Sequence, residues 1–559
     1  MSARSLRFIV FLGALSLIGL ASCSLPNLPK MGIAKARLSQ GQQVVLRDEV
    51  LAGQLSVLRS TPVSSTSAGT EKFLVTLQRR VNLHDWKTPL RIEGQAGGWE
   101  LQFHAAPKIE KWKEEWAPAH FDRLLPASVF RLEGYNQVSA SPGAGAPVVL
   151  AFEDIETLRR ERSFRPRNGL YVPGTVVLEF GQPREPGSPT PVRCRIVNTF
   201  GHRTVKLGSR TVPLAWNVTA AVEANLGNHY ILANALDGLL RPDKRTDDVG
   251  VFGIDGYQRN KTPVIFVHGL DSDPSIWRNA INEIYADPQL HARYLPLLFL
   301  YPSGLSVPAS AAKLRAGIRN YRDLRDSAHT DPGMNNMVIV GHSMGGLLSR
   351  LQIIDPGDEL RKAFFARPIK DIPWIPERER KSVEDVLEFD HLPFVKRAVF
   401  VCTPHQGSDV ANTSIVRLAV RLIRLPAKTA ALVETALTGD LSMLNPALLN
   451  FHALGMRSVD MLSPGHPYYA AVNQRPILAP FHSIIGDRGT GMGWKSSDGA
   501  VPYWSSHVEG AQSEKIVPYG HCCTANPETV SEILRILREH VKGNRDKAAR
   551  GAHSPLQSR

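Results

Sequence analysis

Met337-Val338-Ile339-Val340-Gly341-His342-Ser343-Met344-Gly345 joins an apolar run to a tight turn, and Gly346-Leu347-Leu348-Ser349-Arg350 continues from it with helical character. A short, unbroken apolar run suits a strand buried on both faces. Strand, Gly-x-Ser-x-Gly and helix, in that order, is the setting in which the central serine stands on a sharp turn as a nucleophile. Such a turn brings chain segments almost into collision, so Gly341 and Gly345 supply the small residues it needs. The following helix would set its N-terminus beneath developing negative charge. The five-residue pattern alone recurs by chance in many chains. Its flanks single out Ser343 as the candidate nucleophile.

Outward from this turn, the chain past Asp243 alternates strands with helices, the pattern of an α/β sheet. Pro263–Val267 predicts a strand that ends in His268-Gly269-Leu270, and Leu295–Tyr301 predicts another. Leu314, Ile318, Tyr321 and Leu324 fall on one face at helical spacing. Arg397–Cys402 and Phe481–Gly486 predict further strands. The last helix is expected to open at Asn526-Pro527-Glu528, a capping residue followed by proline at the first helical position. Its apolar face is Val530, Ile533, Leu534, Leu537 and Val541, and Lys542–Arg559 reads as a basic, disordered tail.

Several blocks occur in a fixed order: Val267-His268-Gly269-Leu270, Gly341-His342-Ser343-Met344-Gly345-Gly346, Thr403-Pro404-His405-Gln406-Gly407-Ser408, Asp498-Gly499-Ala500-Val501-Pro502 and Tyr519-Gly520-His521. In this order they resemble the α/β-hydrolase superfamily, and within it the bacterial lipases and esterases, over about Lys261–Val541. The resemblance implies a Ser, acid, His order of catalytic residues. It places the general base at His521, in a loop before the final helix. His342 and His405 are expected to pack around the site rather than to act as the base. The acid has two candidates: Asp498, whose block resembles the lipase acid loop, and Asp487, directly after its strand. Asp498 is preferred. The resemblance puts the oxyanion hole on the backbone N–H groups of Leu270 and Met344, with His268 and Gly269 in support. No cofactor and no metal site are expected.

The stretches at about 355–396 and 412–469 exceed minimal connections and are expected to form cap insertions. Ile415–Leu425 reads as an amphipathic helix with Arg417, Arg421 and Arg424 on one face. Phe364, Phe365, Ile369, Ile372, Trp374 and Ile375 form a second apolar cluster. Two readings of these segments stay open: lining of an acyl-binding groove, or a packing surface against the N-terminal region.

The first half of the chain is less informative. At 559 residues the chain is too long for one ordinary core, so residues 23–242 are read as an accessory α+β region before a hydrolase domain at 243–541. Helical stretches are expected within Leu55–Val81. Strand-like pieces at Trp99–Phe103, Pro147–Phe152, Thr175–Phe180 and Arg193–Val197 predict a small sheet. No motif there ties to chemistry.

With 43% hydrophobic and 21% charged residues, the chain is neither disordered nor a multi-span membrane protein. The net charge of +14 is spread along the chain without a basic, aromatic-interleaved stripe, which speaks against nucleic acid as a partner and leaves attraction to anionic lipid open. Five cysteines do not make a disulfide framework, and none is spaced as a zinc ligand. Arg4 and Arg7 precede the short apolar stretch Phe8–Leu20, which reads as a signal peptide over residues 1–22. Leu20-Ala21-Ser22-Cys23 resembles a bacterial lipobox, which implies acylation of Cys23, a membrane anchor, and delivery to the outer membrane since Ser24 follows. The expected function is a serine ester hydrolase acting on an ester or lipid. An acyltransferase with the same triad and a non-catalytic envelope protein are the alternatives.

Overall fold

The computed structural model describes residues 44–62, 66–81, 89–95, 97–105, 123–152, 169–200, 202–227, 249–255, 257–270, 272–408, 440–451, 460–489 and 493–552. Cys23 and the lipobox lie outside the described residues, as do the Ile415–Leu425 segment and the boundary at 242/243. Among the described residues no helix is long and apolar enough to cross a membrane.

The N-terminal region is built on strands β1 (Val44–Arg47), β2 (Leu90–Gly94), β3 (Gly97–Ala105), β4 (Arg123–Pro126), β5 (Ala140–Ser141), β6 (Ala146–Phe152), β7 (Leu170–Phe180) and β8 (Thr190–Asn198). Shorter strands follow: β9 (Thr204–Leu207), β10 (Arg210–Pro213) and β11 (Trp216–Asn217). The main sheet has the order β1-β2-β3-β8-β7-β6-β4. Its seven strands, mixed parallel and antiparallel, exceed the small sheet expected from the sequence. Helices Glu49–Ser60 and Ser67–Arg80 cover one face, where Leu51, Leu55, Phe73 and Leu77 share a core with Ile92, Leu101, Val148 and Val176. The first helix starts where the Asp48 carboxylate accepts the N–H groups of Val50 and Leu51, each at 3.0 Å.

Helix Val218–Leu226 joins the two halves, and all nine of its residues are buried. Val218, Val222 and Leu226, four residues apart, share an apolar cluster with Ile254, Trp277, Ile281 and Tyr285 of the C-terminal half. Ala220, Ala221 and Ala224 turn instead to Leu125, Val149, Ala151 and Tyr171 of the N-terminal sheet. A helix apolar on every side is one that packs on every side.

The C-terminal sheet contains β12 (Gly250–Gly253), β13 (Thr262–Val267), β14 (Tyr294–Leu300), β15 (Met337–His342), β16 (Val395–Val401), β17 (Phe481–Gly486) and β18 (Ser513–Val517). Their order is β12-β14-β13-β15-β16-β17-β18. β12 runs antiparallel to β14, and every other neighbouring pair is parallel. The chain leaves β13 toward β14 on one side, while β15 onward builds out on the other. The C-terminal ends of β13 and β15 therefore flank a topological switch point, where a crevice opens in sheets of this kind.

Two expectations need correction. Leu324 keeps the helical spacing of Leu314, Ile318 and Tyr321 but is 57% exposed, because the last turn of helix Val307–Arg325 carries it off the core. The final helix runs from Pro527 to Ala552, so most of the segment read as a disordered tail continues the helix. Its opening follows the expected cap, with the Asn526 side chain accepting the Glu528 N–H at 2.8 Å.

Phe364, Phe365, Ile369, Ile372 and Ile375 are buried, and Trp374 packs against them, in the core shared with Leu314, Leu348 and Phe400. That core includes no residue from the described N-terminal sheet, so the cluster is part of the hydrophobic interior of the C-terminal half itself.

Candidate active site

β15 delivers Ser343 to the switch point. The serine holds φ 53° and ψ −125°, a left-handed conformation rare for a residue with a side chain. Its backbone N–H donates to the Val401 carbonyl at 2.9 Å, which fixes the turn against the neighbouring strand. A Cβ on Gly345 would run into the carbonyl oxygens of Val267 and His268, so helix Met344–Arg350 approaches β13 only because this position is glycine.

His521 stands between two partners. The Ser343 hydroxyl lies 2.9 Å from its Nε2, and its Nδ1 lies 2.7 Å from Asp498 Oδ2. A carboxylate only accepts, so Nδ1 carries the proton and Nε2 presents a lone pair to the serine. The other carboxylate oxygen, Oδ1, accepts the N–H groups of Ala500 at 2.8 Å and Val501 at 2.6 Å. Burial pushes the Asp498 carboxyl up. The His521 hydrogen bond and charge, with the Val501 and Ala500 amides, outweigh it and hold the group below the usual carboxylate value. The second candidate, Asp487, turns elsewhere and accepts the Gly489 N–H at 2.8 Å in an exposed turn.

The Leu270 loop passes directly over Ser343: a Cβ on Gly269 would sit 3.0 Å from Ser343 Cβ and 3.1 Å from His342 Nδ1. Met344 opens the helix on the other side. Their backbone N–H groups thus belong to segments that flank the serine. His268 is a buried support. Its ring stacks on Tyr301 with centroids 4.4 Å apart, its Nδ1 meets the Gly269 carbonyl at 2.9 Å, and Tyr301 donates to the His268 carbonyl at 2.8 Å. Burial holds His268 at a pKa of about 4, partly opposed by the Gly269 hydrogen bond, so the ring is neutral.

The remaining blocks brace this arrangement. His342 Nε2 lies 2.8 Å from the His521 carbonyl oxygen and donates to it. His405 is buried edge-on against Phe400 and meets Arg350 at 3.4 Å, outside the Ser-His-Asp chain of contacts. The Ser408 hydroxyl donates to the Ala500 carbonyl and so ties the 403–408 loop to the loop that carries Asp498. Neither Tyr301 nor Ser408 carries a local sequence signal for this support, since each acts through a contact distant in sequence. Among the described residues, Cys402, Asp498 and His521 offer possible metal-ligand atoms within 4.8 Å of one another. Two of the three are already bound to each other, so the pairing of Asp498 with His521 accounts for most of that closeness.

A sheet of this order, with a serine on the strand-to-helix turn at its switch point and an Asp-His pair brought from later loops, defines the α/β-hydrolase fold. Among solved structures the chain is similar to a lipase from Bacillus licheniformis in its mature form, with 16% identity and a TM-score of 0.31 over 51% of this chain and 97% of that one. It is also similar to esterase B from Lactobacillus rhamnosis, solved inhibited by a tributyrin phosphonate, with 14% identity and a TM-score of 0.30 over 59% and 98% of the two chains. A lipase-esterase related protein from Clostridium acetobutylicum shows 13% identity and a TM-score of 0.25 over 51% and 98%. No protein-family model and no curated protein matches the sequence. The strand order, and not these likenesses, defines the fold.

Proposed function

We propose that this chain is a serine ester hydrolase of the lipase or carboxylesterase kind, acting through an acyl-enzyme. The observation that carries the reading is the single imidazole of His521, set between Ser343 Oγ at 2.9 Å and Asp498 Oδ2 at 2.7 Å. His521 takes the hydroxyl proton as Ser343 attacks the ester carbonyl, and the buried Asp498 carboxylate stabilises the resulting imidazolium. The oxyanion of the tetrahedral intermediate lies between the N–H groups of Leu270 and Met344, where each donor is worth roughly 10²–10³ in rate. Collapse breaks the bond to the alcohol oxygen, which leaves with the proton from His521. Water then attacks the Ser343 ester, passes its proton to His521, and releases the acid as Ser343 is reprotonated.

In the same reading the enzyme is held at the bacterial cell envelope, in the outer membrane, through acylation of Cys23. Arg4, Arg7, the Phe8–Leu20 stretch and Leu20-Ala21-Ser22-Cys23 support this. Each buried methylene of an acyl chain contributes about 0.8 kcal/mol, so two or three chains anchor stably.

The test is a panel of p-nitrophenyl esters from short to long acyl chain, with and without added alcohol acceptors, on wild type and Ser343→Ala. Hydrolysis lost in the variant, with fluorophosphonate labelling of the wild type at Ser343, is the expected result. Undiminished turnover by Ser343→Ala would sink the reading, and acyl transfer outpacing hydrolysis would move it to a transferase. For the anchor, Cys23→Ser should shift the protein from membrane to soluble fractions or leave it unprocessed. Equal labelling of both forms by a palmitate analogue would refute it.

A further inference from the structure

Behind the Asp-His pair lie two thiols that the hydrolytic chemistry does not use. Cys402 follows β16 directly and holds φ 48°, a left-handed conformation that turns the chain sharply at the strand end. Its N–H donates to the Ile484 carbonyl at 2.8 Å, so the residue is fixed to the sheet. Cys523 stands two positions after His521 and opens the short helical turn Cys523–Ala525. Both are fully buried, and their Sγ atoms are 3.2 Å apart. A disulfide requires about 2.05 Å between sulfurs, so a shift of roughly one ångström closes the bond.

We propose that Cys402 and Cys523 are a disulfide-forming pair, an oxidation site that fastens the His521 segment to the end of β16. Two thiols give up two protons and two electrons, one S–S bond forms, and the acceptor is a disulfide oxidant that is reduced to its two thiols. The bond forms while the chain folds, because the closed structure buries both sulfurs from any oxidant. In the folded dithiol, the hydrogen bond to Cys523 and burial push the Cys402 thiol up, so it does not react as a thiolate once enclosed.

The placement gives the bond a consequence. The His521 segment is otherwise held by non-covalent contacts: its N–H donates to the Asp498 carbonyl at 3.0 Å, and its carbonyl accepts from His342 at 2.8 Å. Asp498 leans on the same wall as Cys402. A Cβ on Gly486, the last residue of β17, would lie 2.8 Å from Asp498 Cβ and 3.3 Å from Cys402 Sγ. A cross-link here spans a sequence separation of 121 residues and closes a long loop of the unfolded chain, the case in which a disulfide stabilises most. It ties the base-bearing segment to the strand beside the acid. An exported chain would meet the oxidising conditions the bond needs.

The full-length protein, refolded with glutathione disulfide, is alkylated under denaturing, non-reducing conditions and mapped by peptide mass spectrometry. The expected product is a cross-linked peptide joining Cys402 to Cys523, with Cys194 alkylated. Reduction should lower the Tm by roughly 5–10 °C, and Cys402→Ser should remove both the cross-link and this sensitivity to reductant. Alkylation of both Cys402 and Cys523 after refolding, or a cross-link from Cys523 to Cys522 instead, would overturn the proposal. So would a cross-link whose reduction leaves the Tm unchanged, since it would fasten nothing. The peptide map needs no ester turnover, so it stands or fails apart from the hydrolase reading.

Discussion

The Nε2–H of His342 donates to the backbone carbonyl of His521 across 2.8 Å, so the residue before Ser343 holds the main chain of His521. With Nε2 protonated, Nδ1 of His342 is left as a lone pair, and it has no hydrogen-bond partner among the described residues. The two rings tilt against each other with centroids 4.9 Å apart. His342 therefore bears on the position of His521.

This relationship predicts a split in the kinetics. A single neutral hydrogen bond is worth about 1 kcal/mol, or roughly a fivefold effect on a rate. His342→Ala should lower kcat by about that factor on the best ester of the panel, with KM little changed. His342→Gln, which retains an N–H donor, should recover part of the loss. A kcat for His342→Ala equal to wild type would show that the contact positions nothing.

The two aspartates separate by substitution. Asp498→Asn keeps the shape but loses the charge that selects the His521 tautomer, which in comparable triads lowers turnover by roughly 10⁴. Asp487→Asn keeps a carbonyl oxygen for the Gly489 N–H and should leave turnover near wild type. Steady-state kinetics on both variants checks this, and the reverse ranking would transfer the acid to Asp487.

Stability should fall on mild acidification. Burial drives His342 down to about 3, with the charge of His521 adding to it, and burial drives His268 down to about 4. His405 lies well below its usual value through burial first and Arg350 second. In the unfolded chain each titrates at about 6.5. Below that pH the unfolded state takes up protons that the folded state refuses, so this stability is fully present above about pH 6.5 and is lost as pH falls toward about 3. Asp498, held below its usual value, adds a loss in the same direction at lower pH. Calorimetric Tm values across this range should decline, with proton uptake on unfolding. A flat Tm from neutral pH to about 4 contradicts the assignment.

What could be read in advance follows from how each element is buried. β13, β15 and β16 are central and covered on both faces, so they appear as apolar runs that need no partner to be recognised. β18 escaped because its residues Ser513-Glu514-Lys515-Ile516-Val517 alternate in burial at the sheet edge, where charge is normal. β12 is four residues bounded by glycine at each end, too short to carry a period. The thiol contact was equally hidden, since Cys402 and Cys523 meet only once β16 and the His521 loop are in place. For the acid, the chain offered two aspartates in turns. The choice between them depends on which loop folds back to His521, a property of the fold and not of either local sequence.

Helix Val218–Leu226 leads to the last expectation, because its residues make sense only with both halves present. Alongside its two apolar faces, the Glu223 carboxylate accepts from the Tyr135 hydroxyl at 2.9 Å and lies 3.8 Å from Arg278. Thr219 donates to Asn282 at 2.8 Å, while the Asn279 side chain accepts the Asn136 N–H at 2.9 Å and the Asn282 amide donates to the Gln137 carbonyl at 2.9 Å. A seam that is apolar and fully hydrogen-bonded at these positions should make the two halves unfold as one. Ala221→Leu, at a position 1% exposed, overfills the face toward the N-terminal sheet and should cost about 1–3 kcal/mol. The expected calorimetric result is a single transition, shifted as a whole, with loss of ester turnover following the same curve. If the N-terminal region instead melts earlier in Ala221→Leu while the transition of the C-terminal half and ester turnover stay in place, the helix does not couple the halves.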